Sequence, residues 1–184
     1  MVKPSVYRQN RERFAAALPD RTAALLFSGE EKHMSRDSDY RFFCDRNFFY
    51  LTGLERPGFV LVIEKNGGEV STHIYAPARD SMKERWHGKR MDHAEVADLA
   101  GLSADDVLDL EKYEEKEFEL IKNTEISIYL DKSSVMHKPF ELMKKIEKDG
   151  RKACDLSEIT TSLRLVKQPY EIDTVTFCYL WTKL

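Results

Sequence analysis

Metal-assisted hydrolysis needs His, Cys or carboxylate ligands converging on one point. The chain offers five histidines for such work: His33, His73, His87, His93 and His137. None stands in a His-Glu-x-x-His pattern, and none joins a cysteine at zinc-ligand spacing. The densest group runs from His87 to Glu95 and includes Asp92 and His93. A solvated loop leading into a helix start accounts for it, and a stand-alone hydrolase using His87, His93 and Glu95 is a minor alternative. Nucleophilic catalysis finds no Gly-x-Ser-x-Gly elbow. Cys44 stands among aromatic residues, where a small buried side chain is expected rather than a reactive thiolate. Asn66-Gly67-Gly68 fits a hairpin and not a phosphate loop. The basic residues Lys83, Arg85, Lys89 and Arg90 near Trp86 fit a solvated surface better than a nucleic-acid interface. Read for chemistry alone, the sequence shows a soluble α/β domain without a catalytic constellation.

The elements that would position these residues follow from size and periodicity. A chain of 184 residues, 42% hydrophobic and 33% charged, fits one globular domain with a proper core. A net charge of −3 gives no global attraction to nucleic acid or an anionic membrane. Three cysteines, Cys44, Cys154 and Cys178, argue against a disulfide framework. The amino terminus lacks the apolar core of a signal peptide, and no window reaches the length of a membrane span. The expected home is a reducing cytoplasm.

Apolar spacing predicts a helix over Val6–Leu18, closed by Pro19-Asp20. Ala23–Phe27 reads as a strand buried on both faces, and the polar stretch from Glu30 to Ser38 as an exposed loop. Phe59–Ile63 and Glu69–Ala76 are expected to pair antiparallel around Asn66-Gly67-Gly68. Ser81–Glu84 and Asp155–Glu158 resemble capping boxes. Helices are expected over Asp92–Ala100, over Glu111–Lys122 with Phe118 on its buried side, and over Pro139–Lys148. Glu125–Leu130 alternates as a half-buried strand does, Val107–Leu110 stays ambiguous between strand and helix, and Gln168-Pro169 breaks the chain before a last helix or frayed tail. The order predicts an α/β domain with a mixed sheet flanked by helices. From Asp39 to Gly53 the chain carries six aromatic residues, Tyr40, Phe42, Phe43, Phe48, Phe49 and Tyr50, around the charged island Asp45-Arg46-Asn47. That much ring area is expected to be buried.

The series Ser35–Tyr40, Phe48–Gly53, Pro57–Ile63, Arg79-Asp80, Arg85–Arg90 and Leu163–Ile172 resembles, in order and spacing, the N-terminal domain of aminopeptidase P and related Xaa-Pro peptidases, the creatinase/prolidase family. The resemblance implies a mixed sheet with a ribonuclease H-like motif lacking its catalytic acids, and it settles Val107–Leu110 as a short strand. It implies a domain over residues 1–166 and a linker start over 167–184. In such proteins two Asp, one His and two Glu of a following domain hold a pair of manganese-type ions. The chain is expected to stop before those ligands, so that no cofactor, metal site or catalytic residue belongs to it. The expected role is non-catalytic: assembly of a homo-oligomer and gating of a peptide substrate, in a parent that releases the residue preceding proline. A stand-alone peptide- or protein-binding module is the alternative. Three residues carry over as substrate-binding: Asp37 as a loop acid for a free amino group, Trp86 lining the substrate entrance, and Arg164 near the active-site mouth. Phe43-Cys44 departs from the family's Arg-Gln at this point, which strengthens a packing role there. The carboxyl-terminal residues, with Phe177, Tyr179, Leu180 and Trp181, depart as well and are expected to form an apolar patch.

Overall fold

Thr22–Phe27 (β1) is buried along its whole length, because sheet neighbours flank it and helices cover both its faces. The computed structural model describes residues 3–35, 38–79, 84, 89–134 and 136–181. In it β1 pairs antiparallel with Val60–Asn66 (β4), placing Ala24 opposite Ile63. On its other side β1 runs parallel to Ser127–Leu130 (β7), with Ala23 opposite Ile128. Glu69–Ala76 (β5) returns from β4 through Gly67 and Gly68, whose φ angles of 60° and 83° suit only glycine at low cost. Val107–Asp109 (β6) runs parallel to β5, and Cys154–Asp155 (β8) runs parallel to β7. The sheet order is β6-β5-β4-β1-β7-β8.

Alternation along the strands sorts two cores. Ala24, Leu26, Leu61, Ile63 and Ile74 point to one face. There they meet Pro4–Ala17 (α1), Arg46–Thr52 (α2), His93–Ala100 (α3) and Ser157–Leu165 (α6). Ala23, Leu25, Val60, Val62 and Tyr75 point to the other, against Glu111–Lys122 (α4) and His137–Lys148 (α5). Each fully buried Leu, Ile or Phe contributes roughly 1.5–3 kcal/mol of transfer free energy, so the two faces together carry the fold. The last helix, Pro169–Trp181 (α7), follows α6.

Polar contacts fix α1 against its neighbours. Arg11, 4% exposed, donates from Nη1 to Leu51 O at 2.7 Å and from Nη2 to Gly101 O at 3.1 Å. It thereby satisfies carbonyls near the ends of α2 and α3. Burial first, then the charge of Arg8, lowers the Arg11 pKa to about 10. The last turn of α1 carries no basic residue of its own. Lys65 of β4 supplies the charge, donating to Ala15 O at 3.0 Å, Ala16 O at 3.5 Å and Leu18 O at 2.6 Å.

Several expectations change. The stretch before Ser38 holds a small exposed ribbon, His33–Ser35 (β2) paired with Ser38–Asp39 (β3). In the aromatic run Phe48 is fully buried and Tyr50 nearly so, yet Tyr40 is 58% and Phe43 64% exposed. Both precede α2 and so miss its core-facing side, and Phe43 lies 5.5 Å from the Arg41 guanidinium. Phe118 is also 64% exposed. Tyr113, Leu120 and Ile121 form the buried stripe of α4, and Phe118, five residues from Tyr113, falls outside it. Asp155 forms no capping box: its Oδ1 accepts from Ser157 N at 3.0 Å, and Leu156 takes the cap position. The Ser81–Glu84 box lies outside the described residues apart from Glu84.

Candidate functional site

The charged island at the start of α2 is the centre of a polar network. Ser28, just past β1, exchanges bonds with Phe59: its N–H donates to Phe59 O at 3.0 Å, and its Oγ accepts from Phe59 N at 2.9 Å. Ser28 O accepts the Asp45 N–H at 2.9 Å, which pins the helix start to the sheet. Asp45 then caps α2, its Oδ1 accepting from Asn47 N at 2.9 Å and Phe48 N at 2.8 Å. Capping leaves the Asn47 side chain free to reach sideways. Its Nδ2 donates to Asp131 Oδ2 at 3.0 Å, and its Oδ1 accepts from Arg164 Nη1 at 2.8 Å. Asp131 is steadied by Ser133, whose N–H and Oγ donate to Oδ1 at 2.9 and 2.6 Å.

These groups gather outside the carboxyl ends of the parallel strands β1, β7 and β8, the place where open α/β sheets present ligand crevices. Arg164 is half-buried there, its guanidinium 6.0 Å from the centre of the Tyr50 ring. A guanidinium has five N–H donors in a rigid fork, so an Arg held in this way can meet a carboxylate or carbonyl with a fixed orientation. Burial raises the Asp45 pKa, and the Asp131 charge adds to the rise. The backbone N–H groups of Phe48 and Asn47 and the Arg164 charge oppose it. Burial likewise raises the Tyr50 hydroxyl.

Of the residues singled out from the sequence, Arg164 sits in this network, while Asp37 and Trp86 lie outside the described residues. Asp45, Asn47 and Asp131 were not singled out as site residues. The charged island between two aromatic clusters was a signal for the first two. Asp131 has none, because 84 positions separate it from Asn47. The group around His93 is spent on structure. Asp92 and Glu95 cap α3 reciprocally, Lys89 bonds Glu95 at 2.8 Å, and His93 Nε2 lies 3.2 Å from Asp109 Oδ1. His87 lies outside the described residues. Among the described residues no group of three or more His, Cys, Asp or Glu could hold a metal ion. The described residues therefore do not fit a pair of divalent ions. Cys44 is buried, donates to Leu54 O at 3.3 Å, and has its thiol pKa pushed up to about 12, chiefly by burial. Beside the network lies a groove of about 520 Å³ lined by Phe27, Phe43, Phe59, Met136 and Phe140. No helix among the described residues is long and apolar enough to cross a membrane.

A mixed sheet with helices on both faces holds a clamped arginine outside its strand ends. The family profile "Aminopeptidase P, N-terminal domain" matches residues 7–129, and the chain belongs to that family. It is 28% identical to human Xaa-Pro aminopeptidase 3 over 163 residues, covering 84% of this chain and 32% of that protein. It is 35% identical to intermediate cleaving peptidase 55 of Schizosaccharomyces pombe over 86 residues, covering 46% of this chain and 18% of that protein. Among solved structures, a Bacillus anthracis protein assigned as an aminopeptidase P superposes with a TM-score of 0.83 at 27% identity, covering 94% of this chain and 42% of that one. Aminopeptidase P of Escherichia coli superposes with a TM-score of 0.79 at 19% identity, a likeness of fold. The chain thus spans between about a fifth and a third of the length of these curated relatives.

Proposed function

We propose that this domain is the non-catalytic N-terminal part of an Xaa-Pro aminopeptidase-like protein, serving oligomer assembly and the gating of peptide substrate. The observation that carries the reading is the Asn47-clamped Arg164 at the strand ends, in a chain whose relatives bear the name Xaa-Pro aminopeptidase. In this reading Arg164 offers its remaining donors to a peptide carboxylate or carbonyl, Asn47 and Asp131 hold it in place, and Asp37 and Trp86 contribute as the resemblance implies. The bond-breaking, with its two manganese-type ions, belongs to residues outside 1–166. The reducing cytoplasm is the proposed location, supported by three free cysteines.

Two measurements test this. The purified chain, supplied with manganese and an Xaa-Pro peptide, should release no amino-terminal residue; release would overturn the non-catalytic role. Light scattering on a sizing column should give a multiple of 21.5 kDa, and a monomer at tens of micromolar would remove the assembly role. A second reading, a stand-alone peptide- or protein-binding module, is favoured by the aromatic groove around Phe43 and Phe140. Peptide binding lost on Phe140→Ser but kept on Arg164→Met would select it.

A further inference from the structure

α7 turns apolar surface outward. Every residue from Ile172 to Tyr179 is exposed. Ile172, Val175 and Tyr179, three and four positions apart, share one face of the helix. Its charged residues, Glu171 and Asp173, are both acidic and flank that stripe. Glu171 Oε2 accepts from Gln168 N at 2.9 Å, so the exposed Asp173 is the carboxylate that α7 presents outward.

The groove of about 520 Å³ beside the polar network is complementary to this helix. Phe43 and Phe140 form its exposed walls, and each ring has a cation over it, Arg41 at 5.5 Å and Lys144 at 4.3 Å. With Lys32 and Lys138, four cations stand here against two lining acids, Glu30 and Glu31. The groove also takes in the start of α5 at Met136, His137 and Lys138. That helix has no side-chain cap and no acid in its first turn, so the positive end of its dipole is open to a carboxylate. The α7 of the same copy does not fill the groove. Asn10 Nδ2 ties Tyr170 to α1, on the sheet face opposite α5, and none of the lining residues belongs to α7.

We propose that α7 of one copy lies in the Phe43–Phe140 groove of a second copy, and that the exchange is reciprocal about a two-fold axis. Area decides for reciprocity. Phe43, Phe140, Ile172, Val175 and Tyr179 are each between 50% and 67% exposed. Covering what they expose removes roughly 500 Å² per contact, and only two such contacts reach the ~1,000 Å² at which specific interfaces begin. The exchange names the surface behind the assembly role and rests on that reading.

Light scattering on a sizing column, with the whole chain at tens of micromolar, should give twice 21.5 kDa. Val175→Lys puts a charge into the stripe, and Phe43→Glu puts one into the groove. Both side chains are about two-thirds exposed, so the far-ultraviolet circular dichroism of each variant should match the parent. Each substitution strikes both contacts, and a tenfold loss at each compounds to about a 100-fold rise in the dimer dissociation constant. Should a charged variant lose its helical signal, Val175→Ser and Phe43→Ser carry the same comparison. A dimer that survives both substitutions overturns this interface and leaves the assembly reading standing, whereas a monomeric parent overturns both. Any other multiple of 21.5 kDa overturns the two-fold exchange. Dissociation by Val175→Lys alone would mean that α7 pairs with its counterpart, and by Phe43→Glu alone that the groove takes another segment; either result overturns the proposal.

Discussion

Asp45 shows how far the candidate site depends on one acceptor oxygen. Asp45→Ala leaves the N–H groups of Asn47 and Phe48, now bonded at 2.9 and 2.8 Å, without their partner. Losing an N-cap costs about 1 kcal/mol, and up to ~2 where the freed groups are buried. Phe48 is fully buried, which argues for the upper figure. Against this, the alanine relieves a carboxylate whose charge is disfavoured by burial and by Asp131. The net is about 1.5 kcal/mol, or roughly 3–6 °C in melting temperature for a chain of this size. Asp45→Asn keeps the acceptor and removes the charge, so it should stay within about 0.5 kcal/mol of the parent. The pH dependence follows from the raised pKa. A carboxyl that binds its proton more tightly in the folded state contributes stability at low pH, and loses it as pH rises through the folded pKa. Asp45→Asn is free of that loss, so its stability relative to the parent should improve between pH 4 and pH 7. Urea unfolding followed by far-ultraviolet circular dichroism, at both pH values, measures all three proteins. If Asp45→Asn falls as far as Asp45→Ala at pH 7, the helix start is held by the charge and the reasoning is wrong.

Further outcomes are expected. Gly53 has φ 72°, and a Cβ there would lie 2.3 Å from the Tyr7 ring; Gly53→Ala should cost more than ~3 kcal/mol and yield a chain without a cooperative thermal transition. Arg164→Met and Asn47→Ala should be coupled in a double-mutant cycle by about 1.5 kcal/mol, because each breaks the same charge-assisted bond; additive effects would dissolve the clamp. At pH 8 Cys178 should alkylate readily while Cys44, with a pKa of about 12, presents a thiolate fraction near ~1 in 10,000; mass spectrometry of peptides after iodoacetamide treatment distinguishes the two.

Much of the fold could be read from local pattern. Continuous apolar runs marked β1 and β4, Gly67-Gly68 marked the hairpin from β4 to β5, and Asp92 with Gly101 bounded α3. These signals are local, each contained within a few residues. Exposure of Phe43 and Phe118 was not legible, since a ring's burial depends on which side of its element faces the sheet. The site was legible in halves. Arg164 came from a resemblance, whereas Asp45 and Asn47 stood out only as a charged island among aromatics and not as site residues. That Asn47 joins Arg164 to Asp131 required the sheet, which alone brings β7 and α6 to the start of α2.

Lys65 carries a kinetic corollary. The carbonyls ending α1 belong to residues 15–18, while the ammonium that meets them rides on a strand some fifty positions later. An emerging or refolding chain thus leaves that helix end open to water until β4 has paired with β1, which sets Lys65 opposite Thr22. Amide protection in the last turn of α1 should appear together with that of the β1–β4 pair, and later than protection in the middle of the helix.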